Sequence, residues 1–112
     1  MVKTIQIGND AYLMKSSAYT MFAYKDFTGR DLLKDIGKLQ KLTMTDDNLE
    51  QFGEVLEIVE QLAYVMHCEA TEKKISFHEF LRGMDGILEN ITWIQEVMEL
   101  AMSTFHGRVP VR

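Results

Sequence analysis

The residues most capable of chemistry are His67 and Cys68, which stand side by side in the sequence. An imidazole beside a thiol could act as a pair of metal ligands or as a base and a nucleophile. A structural zinc site needs three or four ligands at set spacings, and His78 and His106 belong to other predicted elements. A catalytic cysteine also needs a third, orienting group, and neighbours on a helix point about 100° apart. We therefore interpret His67 and Cys68 as a partly buried structural pair.

Carboxylates are the second group of residues that could do chemistry. Residues 46–48 (Asp-Asp-Asn), with Glu57 beyond them, resemble part of a calcium loop, but the alternating ligands and the central glycine of that loop are missing. One face of a predicted helix carries Glu50, Glu54, Glu57 and Glu60. We expect this face to be solvated, with no pKa shift that would suit acid–base catalysis. The glycines are dispersed and form no phosphate-binding loop, so we predict no catalytic residue, metal site or cofactor.

Composition and charge exclude further classes of function. The net charge is −5 and the twelve Lys and Arg residues are scattered, whereas nucleic acids and anionic membranes bind clustered Lys and Arg. No apolar run approaches the roughly 20 residues of a membrane span. The single cysteine cannot form an internal disulfide, which favours a reducing, intracellular setting. We therefore expect neither a nucleic-acid partner nor a membrane partner.

The elements that must position these residues form a mainly helical α+β fold, which we predict as a single domain over residues 1–112. Residues 3–15 alternate apolar and polar side chains around Gly8-Asn9-Asp10, which predicts a short hairpin whose outer edge is free to pair. Residues 16–106 predict four to five helices, and residues 107–112 predict a tail. The longest helix covers residues 46–71, where two adjacent apolar lines oppose an acidic back.

Capping signals indicate where several helices begin. A serine at position 16 or 17 starts a short helix that is broken at residues 27–29. Thr28-x-x-Asp31 predicts a capping box for the next helix, over residues 31–42. The basic side of that helix could lie near the acidic back of the long helix, in the same molecule or in a neighbouring one. Ser76-x-x-Glu79 predicts a second capping box.

The last predicted helix, over residues 87–106 with Gly107 as its cap, carries more apolar surface than one core needs. At about 100° per residue its apolar arc spans roughly 200°. Methionines in or beside the helices fill cores, but they also suit surfaces that accept varied apolar partners. We predict a partner-binding surface formed by Trp93, Val97, Leu100 and Met102. Self-association through unclosed apolar faces is a second use of such a surface.

Several motifs combine into a pattern that resembles a known family. A strand pair leads into a small-residue helix with Tyr24, then into a Phe-x-Gly-Arg-Asp-Leu-type turn at residues 27–32 and a Leu/Asp/Lys helix. An apolar run at residues 62–66 and a Phe-x-x-Phe-Leu segment at residues 77–81 follow. The pattern resembles the tail assembly chaperones of long-tailed phages and prophages of Gram-positive bacteria. The family often has glycine directly after the phenylalanine, whereas Thr28 intervenes here.

The resemblance implies a non-enzymatic chaperone that binds the tape measure protein and helps tail tube subunits polymerise around it. It also implies a location in the cytoplasm of the bacterial host and absence from the mature virion. The mode of recognition would be an amphipathic helix docked in a groove. The alternative is a small helical adaptor or antitoxin that neutralises a partner protein. An enzyme that uses His67, Cys68 or the glutamates is a third reading, which would require a deep pocket with a strongly shifted acid.

Overall fold

The computed structural model describes residues 1–41 and 49–105, and there the chain forms a hairpin followed by five helices, which confirms the predicted fold class. The strands and helices are β1 (Val2–Ile7), β2 (Asp10–Lys15), α1 (Ala18–Thr28), α2 (Leu32–Lys41), α3 (Leu49–Thr71), α4 (Phe77–Arg82) and α5 (Thr92–Phe105). The predicted acidic start of the long helix, the cap at Gly107 and the tail lie outside the described residues. No helix within the two described ranges is long and apolar enough to cross a membrane.

The hairpin forms as the alternation predicts, with β1 and β2 paired antiparallel over their whole length. Gly8 opens the two-residue turn with a φ of 62°, and Asn9 does not share this positive φ, which is the pattern of a type II′ turn. A Cβ atom on Gly8 would lie 1.6 Å from the carbonyl oxygen of Asp85. Glycine is therefore required both by the turn and by the close approach of the connection between α4 and α5.

Helices α3 and α5 cover the inner face of the hairpin. Ile5, Ile7 and Met14 on that face are fully buried, in contact with α3 beneath β2 and with α5 beneath β1. The two apolar lines predicted for the long helix also enter this core, as the burial of its central residues shows: Val55, Ile58, Val59, Leu62, Ala63, Val65 and Met66. The hairpin and the helices thus share one hydrophobic core.

The start of α1 is tied to the two helices that cover the hairpin. Ser17 is the N-cap of α1, and its hydroxyl donates to Glu69 Oε2 of α3 over 2.5 Å. The Thr20 hydroxyl donates to the other oxygen of the same carboxylate over 3.1 Å. The hydroxyls of Ser16 and Thr104 form a further hydrogen bond, which reaches α5. One end of the hairpin is therefore held to α1, α3 and α5 by short polar contacts.

The turn between α1 and α2 has different caps from those predicted. Gly29 ends α1 with a φ of 77°. Thr28 does not cap α2, because its hydroxyl donates to the Tyr24 carbonyl and accepts the Arg30 N–H. Asp31 caps α2 instead, since its Oδ1 accepts two N–H groups of the first turn. The predicted box was wrong because Thr28 still belongs to the last turn of α1.

A buried polar network fixes α1, α2 and α3 around this turn. The Tyr24 hydroxyl, on a fully buried side chain, donates to Asp35 Oδ2 over 2.6 Å. Arg30 Nε donates to the same oxygen over 2.9 Å, and its Nη2 donates to Tyr24 Oη and to Gln61 of α3. Burial, and after it the hydrogen bond to Asp35, raises the pKa of Tyr24, because both disfavour the ionised phenolate. A network in which each member has a partner stabilises a buried site that would otherwise be costly.

One ion pair connects the basic side of α2 with the acidic back of α3 in the described chain. Lys38 Nζ lies 3.0 Å from Glu54 Oε2, and both side chains are about half exposed. Exposed pairs of this kind contribute little to stability. The expected proximity of the two faces therefore exists within one molecule at this pair, but it does not hold the helices together.

The connection from α3 to α4 combines a strained residue with the predicted capping box. Glu72 follows the end of α3 with a φ of 57°, a conformation that usually requires glycine, and its N–H donates to the Cys68 carbonyl over 2.8 Å. Helix α4 then begins as expected. The Ser76 hydroxyl accepts the Glu79 N–H over 3.0 Å, and the Glu79 carboxylate accepts the Ser76 N–H.

The last helix begins at Thr92 and not at Ile87, where the apolar period placed its start. Gly86 turns the chain with a φ of 66°, and Asn90 Oδ1 accepts the Thr92 N–H over 3.0 Å, as an N-terminal capping side chain does. The Ile87 carbonyl instead accepts the Trp93 indole N–H over 2.9 Å. The prediction was wrong because residues 87–91 keep helical spacing of apolar side chains while their backbone forms a turn.

We expect the Tyr24→Phe variant to lose about 2 kcal/mol of unfolding free energy, because Asp35 loses a donor inside the protein. Tyr19→Phe is the matched control on the same helix, since Tyr19 is 56% exposed, and we expect it to change stability by less than about 0.5 kcal/mol. Urea denaturation of both variants measures the difference. Equal stability of the two variants would show that the network contributes nothing.

The Glu72→Gly variant should be more stable than the unaltered chain by about 0.5 kcal/mol, because glycine adopts the positive φ without steric cost. Gly29→Ala is the opposite change at an equivalent helix end. A Cβ there would meet no atom within 4 Å, so the expected loss of about 1 kcal/mol comes from the backbone alone. Thermal unfolding compares the two, and a destabilised Glu72→Gly variant would contradict this account.

Candidate protein-binding site

The structure does not present the predicted binding surface on α5. Trp93 is 1% exposed, Val97 is 0% and Leu100 is 2%, so the prediction that these three residues face a partner is wrong. Met102 is half-buried and lies at the protein surface. A partner cannot reach Trp93, Val97 or Leu100 unless the core opens.

The physical reason lies in the number of neighbours that α5 must cover. The prediction of surplus apolar surface on the last helix holds only if that helix packs against a single surface. In the structure α5 contacts α3, β1 and α1, so an apolar arc of roughly 200° is needed for the interior itself. Trp93, Val97 and Leu100 form one flank of that arc, and this flank is buried. The surplus is real only at the other flank of the helix, where Met102 lies.

That flank forms an apolar groove, which we call the α5 groove. It encloses about 480 Å³ between the C-terminal half of α2, the N-terminal half of α3 and one side of α5. Its apolar lining consists of Leu39, Val55, Ile91, Ile94, Met98 and Met102. Leu39, Val55 and Ile94 are buried and form its floor, whereas Ile91 is 43% exposed. A groove with a buried apolar floor and partly exposed apolar walls suits the docking of an apolar side chain.

The walls of the α5 groove are adaptable. Met98 and Met102 stand one turn apart on α5 and are both half-buried, and methionine side chains change shape at low cost. Gln40 Nε2 donates to Met102 Sδ over 3.7 Å, and Gln95 Nε2 donates to Glu99 Oε2 over 3.2 Å. The rim is therefore polar with one negative charge, and it encloses a flexible apolar strip.

Sequence reasoning found Met102 but missed Leu39, Val55 and Ile91. Leu39 and Val55 belong to apolar lines that are ordinary core lines on α2 and α3, and only the tertiary arrangement brings their edges together. Ile91 and Met98 belong to the apolar arc predicted for the last helix, but the spacing does not show that Ile91 is exposed, as it is in the structure. The spacing of seven residues between them was the available signal, but it is equally typical of a buried stripe.

A second groove, which we call the α1 groove, lies between α1, the C-terminal end of α3 and the connection to α4. Its apolar lining consists of Tyr19, Ala23, Phe27, Tyr64, Val65, Cys68 and Ile75. Phe27, Tyr64 and Phe77 contact one another with ring centroids 4.9 to 5.4 Å apart, and the Tyr64 hydroxyl donates to the Ile75 carbonyl over 2.7 Å. These contacts hold α1, α3 and α4 together, so the α1 groove has a structural role already.

His67 and Cys68, the residues that the sequence singles out for possible chemistry, have structural roles in the fold. His67 Nδ1 donates to the Leu13 carbonyl of β2 over 2.8 Å, and the ring contacts Tyr12 and Phe80. Burial raises the pKa of Cys68, which keeps the thiol protonated at neutral pH and makes it a poor nucleophile. No three His, Cys, Asp or Glu side chains within the described chain are grouped so that they could hold a metal ion.

The acidic face of α3 differs from the expectation at one residue. Glu60 has a raised pKa, mainly because burial removes water from its carboxylate and secondly because of the negative charge of Glu57. The expectation of a fully wet face without a pKa shift is therefore wrong at Glu60, since that carboxylate is half-buried. The shift does not indicate a catalytic acid or base, because burial and the charge of Glu57 both act only by disfavouring the ionised carboxylate of Glu60.

Because the pKa of Glu60 is raised in the folded state, the ionised carboxylate of Glu60 destabilises the fold. This destabilisation is absent below the ordinary glutamate pKa of about 4.3 and complete at pH values above the raised pKa of the folded state. We expect Glu60→Gln to raise Tm by roughly 2 °C at pH 7 and to leave it unchanged near pH 4. Glu57→Gln removes only the smaller, Coulombic cause and should give a smaller gain. Calorimetry at both pH values measures this, and a gain at pH 4 as large as at pH 7 would contradict the assignment.

Among the grooves of the described surface, the α1 groove already joins α1, α3 and α4, so the α5 groove, with its six apolar lining residues, is the better candidate for binding a partner. Comparisons of the chain with protein-family models, with curated proteins and with solved structures gave no match. The choice of a function therefore depends on the α5 groove and on the motifs of the sequence.

Proposed function

We propose that this protein is a tail assembly chaperone of a long-tailed phage or prophage, which binds the tape measure protein through the α5 groove and assists polymerisation of the tail tube around it. The protein acts as a binding module without catalysis, in the cytoplasm of the bacterial host, and does not remain in the mature virion. The observation that carries the proposal is the α5 groove, with its buried apolar floor, its two methionines and its exposed Ile91.

The shape of the groove favours one kind of ligand. Its apolar strip runs from Ile91, the residue before α5, along α5 to Met102, and Met98 lies between them. Eleven helical residues at about 1.5 Å each make such a strip roughly 16 Å long, which matches three turns of an amphipathic helix. The tape measure protein of such phages is long and helical, so it offers many faces of this type.

The chemistry of the groove fits a client of varied sequence. Methionine walls accommodate different apolar side chains without loss of packing. The rim carries Glu99, and the whole chain has a net charge of −5. A client helix with Lys or Arg beside its apolar stripe would therefore associate faster than an acidic one.

The motif that best supports the family resemblance has a structural explanation. Within the turn at residues 27–32, Gly29 ends α1, Arg30 joins the buried network and Asp31 caps α2. These roles concern how α1, α2 and α3 are joined and not how a client is bound. The resemblance thus supports a shared fold, and the α5 groove supports the binding function.

The test is a pull-down of a helical fragment of the tape measure protein from the same phage genome, co-expressed with the chain. We expect Ile91→Asp to weaken binding at least tenfold, because a charge at the exposed wall must be desolvated when the client docks. Leu33→Asp is the matched control, since Leu33 is 50% exposed on α2 and lies outside the groove lining.

The outcomes separate the proposal from its alternatives. Equal binding by Ile91→Asp and Leu33→Asp would place the client elsewhere on the surface. Failure of the unaltered chain to bind any tape measure fragment would contradict the chaperone function itself. Trp93→Asp is unsuitable for this test, because a charge in the core would unfold the protein and abolish any binding indirectly.

A further inference from the structure

The two edges of the hairpin are in different environments. On β2, the Leu13 carbonyl points away from β1 and accepts the His67 Nδ1–H over 2.8 Å, and α3 packs along the strand. That edge is therefore partly covered by the protein's own helix. Natural proteins cover or charge the edges of their sheets because unpaired N–H and C=O groups can bind another strand.

Helix α5 packs beneath β1 as α3 packs beneath β2, but in the part of the chain that the structure describes no side chain forms a hydrogen bond with the outward backbone groups of β1. Met1 and Ser16 exchange both backbone hydrogen bonds, at 2.7 and 2.8 Å, so the odd-numbered residues of β1 face β2 and the even-numbered ones point outward. The outward residues are Val2, Thr4 and Gln6. Within residues 1–41 and 49–105 no hydrogen bond satisfies their N–H or C=O groups.

The composition of β1 does not block a further strand. It is six residues long, contains no proline and pairs with β2 without a bulge. Lys3 is its only charged residue, and Val2, Thr4, Ile5 and Ile7 are β-branched. Such residues favour extended pairing, and a two-stranded sheet gains stability when strands are added.

We propose that β1 pairs antiparallel with β1 of a second copy of this chain, with Thr4 on the two-fold axis, so that two hairpins form one four-stranded sheet. In this register Val2 lies opposite Gln6 of the second copy and Thr4 lies opposite its own equivalent. Every outward N–H and C=O group of the three residues then finds a partner. The interface uses the same patch on both copies, as a two-fold dimer requires.

The side chains fit this register on both faces of the sheet. Lys3 lies opposite Ile5 of the second copy, so no like charges stand directly opposite each other, which would be destabilising. On the outer face, Leu13 is paired with Thr4 within each hairpin, so the central row across the dimer is Leu-Thr-Thr-Leu. This self-complementarity is the reason for assigning the edge to a second copy and not to a strand of another protein.

Cysteine cross-linking in a Cys68→Ser background tests the register. With Thr4 on the axis, the two Cα atoms at position 4 would be about 5.5 Å apart, which suits a disulfide. We expect Thr4→Cys to give a covalent dimer under mild oxidation. Gln6→Cys is the matched control on the same edge, because its two copies would be four residues out of register, roughly 13 Å apart, and should stay uncross-linked.

Sedimentation equilibrium tests pairing through the β1 edge without a covalent cross-link. Thr4→Pro removes an outward N–H and leaves the β1–β2 hydrogen bonds intact, so the dimer dissociation constant should rise at least tenfold. Ala11→Pro alters an outward N–H on β2 and should leave the constant unchanged.

A strictly monomeric unaltered chain, equal cross-linking at positions 4 and 6, or an undiminished dimer in Thr4→Pro would each overturn the proposal. None of these measurements includes a tape measure fragment, so their outcome is independent of the chaperone function.

Discussion

The structure depends on one requirement, that the inner face of a two-stranded sheet must be covered. A hairpin alone is marginal in water, and Ile5, Ile7 and Met14 are fully buried only because α3 and α5 lie against them. This requirement orients α5. Its largest apolar side chain, Trp93, turns inward, and the methionine flank is what remains at the surface. The position of the α5 groove is therefore a consequence of how the hairpin is covered.

A second constraint acts where α1, α2 and α3 meet. In the Tyr24, Arg30 and Asp35 network, Tyr24 and Asp35 are buried, so the network tolerates one arrangement of donors and acceptors rather than many. Apolar packing alone would allow α1 and α2 to slide against α3. The network therefore supplies specificity of orientation, while the hydrophobic core supplies most of the stability.

Much of the fold was predictable because its signals are local. The alternation around Gly8, the two apolar lines of α3 and the capping box at Ser76 each depend on neighbours in the sequence, and the structure confirms them. The start of α5 was not predictable from spacing, because residues 87–91 keep a helical period without a helical backbone. The binding surface was wrong for a further reason: whether Trp93 or Ile91 faces solvent depends on how many elements surround α5, and periodicity does not contain that number. The polar network was also missed, because Tyr24, Asp35 and Gln61 meet only in three dimensions.

The contact between Gly8 and Asp85 has a consequence for the order in which the chain acquires its structure. The hairpin leaves the ribosome before α5, but its turn docks on residue 85 and its inner face is covered partly by α5. Contacts of such long sequence separation form late, since they require closure of most of the chain. During synthesis the nascent hairpin therefore remains without its full cover until α5 has emerged, and its apolar side chains are exposed to other nascent chains for that interval.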